Sequence, residues 1–294
     1  MTSLLSRIKV TAVSAVAMLL PVSQAYAQQW QQMPGAAKAI AAAGDKGAVL
    51  VGTDGAFHVW GAAGSWARLT PAPGGPTPNA VSITSYDGLR WGVVDADGKY
   101  WSVAQNFSPV GPALPTYNAT LSPSCDFGPI NVASGRGSTL FATKKGDASN
   151  AVYQSLGGCA SSPGWTSYGA TSSAMSVPAG TAGAAQRPVL WIETLRAAYG
   201  CVSRGLCLIA GGAAAPSGVR LLAAGKNTVW VATSQGNGPD QLARYTLGSP
   251  AWNNGTWEAK VLPSGVTSLL AIAVSETDAV WLIDSQKRIW KMAP

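Results

Sequence analysis

The single histidine and thirteen acidic residues of this 294-residue sequence bound what acid–base chemistry it could perform. Glycosidic cleavage needs two carboxyl groups about 5–10 Å apart. The glutamates are only Glu193, Glu258 and Glu276, and Asp54, Asp97 and Asp284 recur at what reads as one turn position. Repeated turn aspartates are explained by turn chemistry, because Asp tolerates the backbone of a tight hairpin and bonds to its own turn. His58 alternates with Phe57 and Val59 in "AFHVW", which places it on a strand rather than in a triad, and no Gly-x-Ser-x-Gly elbow accompanies it. Phosphate-cradling loops, dinucleotide fingerprints and Cys-x-x-Cys pairs are missing, so no cofactor and no metal is implied; "DAD" (95–97) alone is too little for calcium. Sugar binding asks for less: an aromatic face and a few polar groups. Its candidates are Asp54, His58, Arg90, Asp97, Tyr100, Arg136 and Arg244, none of them catalytic.

Composition limits the partners. The formal charge is +7, but Lys and Arg are scattered apart from Lys144-Lys145 and Lys287-Arg288. A nucleic-acid binder clusters such residues along one face, so nucleic acid is not expected and an anionic envelope surface suits the excess better. Residues 1–27 have the order of a secretory signal peptide: Arg7 and Lys9, an apolar run from Val10 to Leu20, then Ala25-Tyr26-Ala27. Pro21 ends that run short of the roughly 20 residues a membrane span needs. The expectation is an exported, secreted or periplasmic protein with mature residues 28–294, one domain, and no membrane span after removal of the signal. In an oxidising compartment the four cysteines should form disulfides. Of the three pairings, Cys125–Cys159 with Cys201–Cys207 keeps each bridge within one repeat.

The candidate residues must be positioned by a repeating element. Apolar runs centred on Leu50, Trp91, Phe141, Trp191, Trp230 and Trp281 recur at roughly the 40–50 residues that four short strands require. Each is preceded by a slimmer run: "AIAAAG" (39–44), "VSITS" (81–85), "INVAS" (130–134), "MSVPAG" (175–180), "RLLAAG" (220–225) and "LAIAVS" (270–275). Small residues fit strands crowded around an axis, and bulky ones fill the wedge where sheets diverge. This predicts an all-β, six-bladed β-propeller, with seven blades as the alternative. Pro178 is tolerable on the free edge of an innermost strand. "VLWIETLRAAYG" (189–200) has helical spacing, as "GAAKAIAAAGDKG" has helical composition, but repeat register makes both strands. The last repeat, ending "RIWKMAP", lacks an outer strand, and "QQWQQMPG" (28–35) resembles the outer strands "SWARLTP" and "TWEAKVLP". The mature N-terminal strand should therefore close the ring.

At "WQQMPGAAKAIAAAGDKGAVLVGTDGAFHVW" (30–60) the sequence resembles the tectonin repeat, which runs Trp, Pro-Gly, an Ile-x-small-Gly strand, a Val-Trp-Gly-Val strand, a turn with Asp-Gly, and an aromatic-ended strand. Residues 66–101 and 257–290 are similar, through Trp66, "WGVV" and Asp97-Gly98, and through Trp257, Pro263, Gly265 and "VWLID". Repeats three to five are longer and lack the Pro-Gly step. "VVDADGKYW" also approaches the sialidase Asp-box, with the spacing off by one and its Ser absent. The tectonin resemblance implies a divergent, tachylectin-like propeller that binds carbohydrate, including cell-envelope polysaccharide. The alternatives are a protein-interaction scaffold with an envelope protein as partner and, third, a glycan-cleaving lyase or glycosidase.

Overall fold

The computed structural model describes residues 30–43, 47–61, 64–85, 89–106, 115–122, 130–134, 140–144, 147–155, 165–176, 189–195, 197–199, 208–210, 214–234, 236, 238–246 and 255–292. The expected leader of residues 1–27, all four cysteines and their expected pairings, Arg136 and Pro178 lie outside these residues.

The architecture is all-β and almost wholly antiparallel. The strands in chain order are β1 (Trp30–Ala43), β2 (Gly47–Gly52), β3 (Phe57–Trp60) and β4 (Trp66–Arg68). Next come β5 (Thr70–Pro71), β6 (Ala80–Ser85), β7 (Arg90–Asp95), β8 (Tyr100–Asn106) and β9 (Thr116–Leu121). The middle units are β10 (Ile130–Ser134), β11 (Leu140–Lys144), β12 (Ala151–Ser155) and β13 (Thr166–Thr171), then β14 (Ala174–Ser176), β15 (Val189–Ile192), β16 (Ala197–Tyr199) and β17 (Leu208–Ala210). The chain continues through β18 (Val219–Ala224), β19 (Thr228–Thr233), β20 (Gln241–Thr246) and β21 (Thr256–Lys260), and ends with β22 (Leu269–Val274), β23 (Val280–Asp284) and β24 (Arg288–Met292).

Four strands in chain order make each unit, as in β10-β11-β12-β13 and β18-β19-β20-β21. Two of the sheets are larger. The short β5 adds in parallel to β9, and β1 joins two units into a sheet ordered β22-β23-β24-β1-β2-β3-β4. The first half of β1 pairs with β24, Trp30 opposite Met292, and its second half pairs with β2, Ala43 opposite Gly47. Gly35, at φ 92°, sits at the step between them, where the left-handed backbone suits glycine. The first strands of the units, β1, β6, β10, β14, β18 and β22, touch one another in that order, and β22 touches β1.

Burial follows the residue sizes. Leu50, Trp91, Phe141, Trp191, Trp230 and Trp281, one on each second strand, are all at most 2 % exposed. Burying each contributes about 1.5–3 kcal/mol. They fill the spaces between neighbouring units: Trp281 packs with Ala37, Ile40 and Leu50 of the first unit, and Trp230 with Leu282 and Trp290 of the last. The helically spaced segment at 189–200 is a strand, one 3-10 turn at Glu193–Leu195, and a strand. Among its described residues that turn is the whole of its helical character.

Four first strands share an irregularity that the sequence pattern does not announce. Register slips by one residue at Ala37/Ala39, Ala80/Ser82, Val219/Leu221 and Leu269/Ala271. The extra residues are Lys38, Val81, Arg220 and Leu270, so a β-bulge sets a different side chain at the same place in four of the units.

Candidate functional site

The turns between second and third strands show what the aspartates do. In the last unit Asp284 is 1 % exposed and its Oδ1 accepts the N–H groups of Gln286 (2.9 Å) and Arg288 (3.0 Å). Its Oδ2 accepts Arg288 Nε (2.6 Å) and Trp290 Nε1 (2.9 Å). Asp95 repeats the arrangement: Oδ1 takes the N–H of Asp97 and Lys99, and Oδ2 takes Trp101 Nε1 at 2.7 Å. Asp284 therefore corresponds to Asp95 and not to Asp97, which sits exposed two residues further round the turn. By the same register His58 stands where Trp101 and Trp290 stand, and Trp60 lies two residues beyond.

In the first unit this clasp is altered. Gly52 occupies the aspartate position, and a Cβ there would lie 2.4 Å from Asp54 Oδ1 and 3.2 Å from His58 Nε2. Asp54 fills that space from the turn, accepting the N–H of Ala56 (3.0 Å) with His58 at 3.8 Å and Arg68 at 3.7 Å. The Ala56 bond chiefly, against slight burial and with help from His58 and Arg68, holds the Asp54 carboxyl below its ordinary value.

The remaining predicted residues are spread over the molecule. Tyr100 is 5 % exposed and lies over Gly92, facing inward. Arg90 is exposed at the start of β7. Arg244 lies 5.8 Å above the Trp230 ring and pairs with Glu258 at 2.7 Å, where Lys260 also binds. Asp54 and His58 are thus brought together, and Arg90, Asp97 with Tyr100, and Arg244 are not brought to them.

Other acidic groups are acceptors within the framework. Glu193 takes Trp191 Nε1 (2.7 Å) and the N–H of Gly218 (2.7 Å) in the next unit. Asp278 ties Asn227 and Thr228 to the last unit. Asp240 binds Arg220 and the N–H of Leu269. Burial would raise Asp240 and Asp284, but the bonds from Arg220 and Leu269, and from Trp290 and Arg288, outweigh it and hold both carboxyls below the ordinary range. Among the described residues no three His, Cys, Asp or Glu converge to hold a metal ion.

Two features do present surfaces. Trp60 and Trp66 are half-buried and meet edge to face at 5.0 Å, with the buried Trp281 at 5.6 and 5.7 Å. Lys291 Nζ lies 4.9 Å from the Trp281 ring and 5.8 Å from that of Trp60. The second is a cavity of about 420 Å³ between the first strands, bordered by β1, β6, β14, β18 and β22.

No protein-family profile matches the chain, and no curated protein aligns with it. Among solved structures it is similar to a glucose dehydrogenase at TM-score 0.52 and 8 % identity, over 90 % of this chain and 99 % of that one. The fold is that of a β-propeller. Weaker likenesses are to a streptogramin B lyase (TM-score 0.48, 12 % identity, 90 % and 97 % covered) and to YCF48 from Cyanidioschyzon merolae (0.46, 13 %, 90 % and 98 %). Fold is all these comparisons share, since activity resides in side chains placed on it. In propeller terms the tryptophan cluster packs between the blade of β22–β24 and the blade of β2–β4, and the cavity lies between the blades' innermost strands.

Proposed function

We propose that this is an exported, tectonin-like propeller that binds glycans without cleaving them, with the cluster of Trp60, Trp66 and Lys291 as its sugar platform. The observation that carries the reading is the cluster of Trp60, Trp66 and Lys291. Two half-buried indoles with an ammonium over one of them bring together the aromatic and hydrogen-bonding groups that a pyranose requires. Six blades, closed into a ring by the strand shared between first and last, fit the order in which the first strands touch. Non-catalytic binding fits the acidic groups, because Asp95, Asp284, Asp240, Asp278 and Glu193 are already committed as acceptors in the framework. An envelope polysaccharide is the favoured ligand, given the excess of basic residues. The test is a glycan array with neutral sugars as competitors, on the wild type and on Trp60→Ala. Wild-type binding that falls at least tenfold in Trp60→Ala, about 1.4 kcal/mol, is expected. Silence across envelope polysaccharides, or equal binding by both proteins, would overturn the proposal; capture of a stable envelope protein with no sugar bound would favour a scaffold.

A further inference from the structure

Lys291 and Arg244 hold one position in neighbouring blades. Each stands in register with the buried tryptophan of its second strand, Lys291 opposite Trp281 and Arg244 opposite Trp230. Each sets its cationic group over that ring, Lys291 Nζ at 4.9 Å from the centroid and Arg244 Cζ at 5.8 Å. The two blades differ one strand further out. Arg244 stands opposite Glu258 and binds its carboxylate at 2.7 Å, and Lys260 binds the same carboxylate. Lys291 stands opposite Gln31, which is exposed and uncharged. Among the described residues no carboxylate pairs with Lys291 and no acceptor takes its protons. Its ammonium is not one of the buried polar groups left without a partner, so it reaches solvent. The indoles around it supply ring faces and N–H donors but no lone-pair acceptor.

We propose that the glycan bound at this cluster is acidic, its carboxylate or phosphate taking beside Lys291 the place that Glu258 takes beside Arg244. The inference rests on the sugar-platform reading and adds the charge of the ligand to it. A cation held against two rings has lost part of its hydration, and a hydrogen bond between ionised groups is roughly twice as strong as one between neutral groups. A neutral sugar would stack on the indoles and leave the ammonium to water. Arg244 offers no such place, because Glu258 already occupies it.

Two matched pairs of probes test it at low ionic strength, where screening is weakest. They are methyl glucuronide against methyl glucoside, and N-acetylglucosamine 6-phosphate against N-acetylglucosamine. Titrations followed by the indole N–H signals in NMR give the affinities. In at least one pair the acidic member should bind the wild type at least tenfold more tightly than its neutral partner. Lys291→Gln should abolish that preference by removing the cation. Gln31→Glu should abolish it by restoring the carboxylate of the neighbouring blade. Thermal unfolding identifies a variant that fails to fold, and the other then decides. Equal binding within both pairs, still lost in Trp60→Ala, overturns the inference and leaves the sugar platform standing. A preference for the acid that survives in a folded variant overturns it as well. So does the absence of binding by all four probes, and the glycan array then shows whether the sugar platform falls with it.

Discussion

Replacing Asp284 by alanine tests the assignment of the turn aspartates more sharply than any other single change. The side chain is 1 % exposed and accepts two main-chain N–H groups, a guanidinium and an indole. Alanine leaves the Arg288 charge without its carboxylate and strands the Trp290 indole at the junction where β24 meets β1. Removing one partner of a buried ion pair costs about 3–5 kcal/mol. Arg288 is partly exposed, with a second bond to the Gly265 carbonyl at 3.0 Å, which puts the expected loss near the lower end, about 3 kcal/mol. For a chain of this size each kcal/mol moves the midpoint by about 2–4 °C, so Asp284→Ala should melt roughly 6–12 °C below wild type. The control is Asp97→Ala, an exposed position expected to fall within about 0.5 kcal/mol of wild type. Urea titrations followed by tryptophan fluorescence measure both. Equal losses would refute the reasoning, since they would restore Asp97 and Asp284 to one role.

Acid should act through the same carboxyls. Asp240 and Asp284 are held below their ordinary value in the fold, so their stabilisation is present above the unfolded value of about 3.9 and is lost as pH falls through the lower folded value. The urea midpoint should be level from pH 7 to about 5 and fall below about 4, with a shallower fall in Asp284→Ala; a profile unchanged by that substitution would contradict it. Two glycines separate close packing from backbone conformation. A Cβ at Gly255 would sit 1.9 Å from the Thr246 carbonyl oxygen, whereas Gly55, at φ 82°, has open space around it. Gly255→Ala should cost several kcal/mol and Gly55→Ala about 1–2, and the reverse order in chemical denaturation would show that the close approach is relieved elsewhere.

What could be read in advance depended on whether a signal repeats in residue size. Slim first strands and bulky second strands recur because every blade meets the same crowding, and Trp91, Trp191, Trp230 and Trp281 are buried as that geometry demands. The partner of residues 30–36 was legible for a similar reason, since "QQWQQMP" matches outer strands elsewhere in the chain. The bulges at Lys38, Val81, Arg220 and Leu270 were not legible, because a slip of one residue leaves composition unchanged and is fixed by the partner strand. The tryptophan cluster was missed as well. Trp60 and Trp66 face each other across the β3–β4 pair, yet Trp281 and Lys291 lie more than two hundred positions away in sequence, and only pairing of the chain's two ends brings them together.

The altered clasp of the first blade leads to a prediction that register alone can make. Asp95 with Trp101 and Asp284 with Trp290 are carboxylate–indole pairs closed across a turn; Gly52 with His58 occupies the same two positions, and Asp54 supplies the carboxylate from within the turn. If the correspondence is right, the standard clasp can be rebuilt by Gly52→Asp, Asp54→Ala and His58→Trp together. Gly52→Asp alone should destabilise, because its Cβ would meet the Asp54 carboxylate at 2.4 Å and place two acids side by side. His58→Trp alone should gain little, lacking an aspartate in the right place. Combined with Asp54→Ala, the pair should recover more stability than the single changes sum to, with a coupling of about 0.5–3 kcal/mol, as expected for side chains in direct contact. A double-mutant cycle in urea at pH 7, in the Asp54→Ala background, measures that coupling. A value near zero would mean that His58 does not stand in for Trp101 and Trp290, and that the first blade closes its turn by a different geometry.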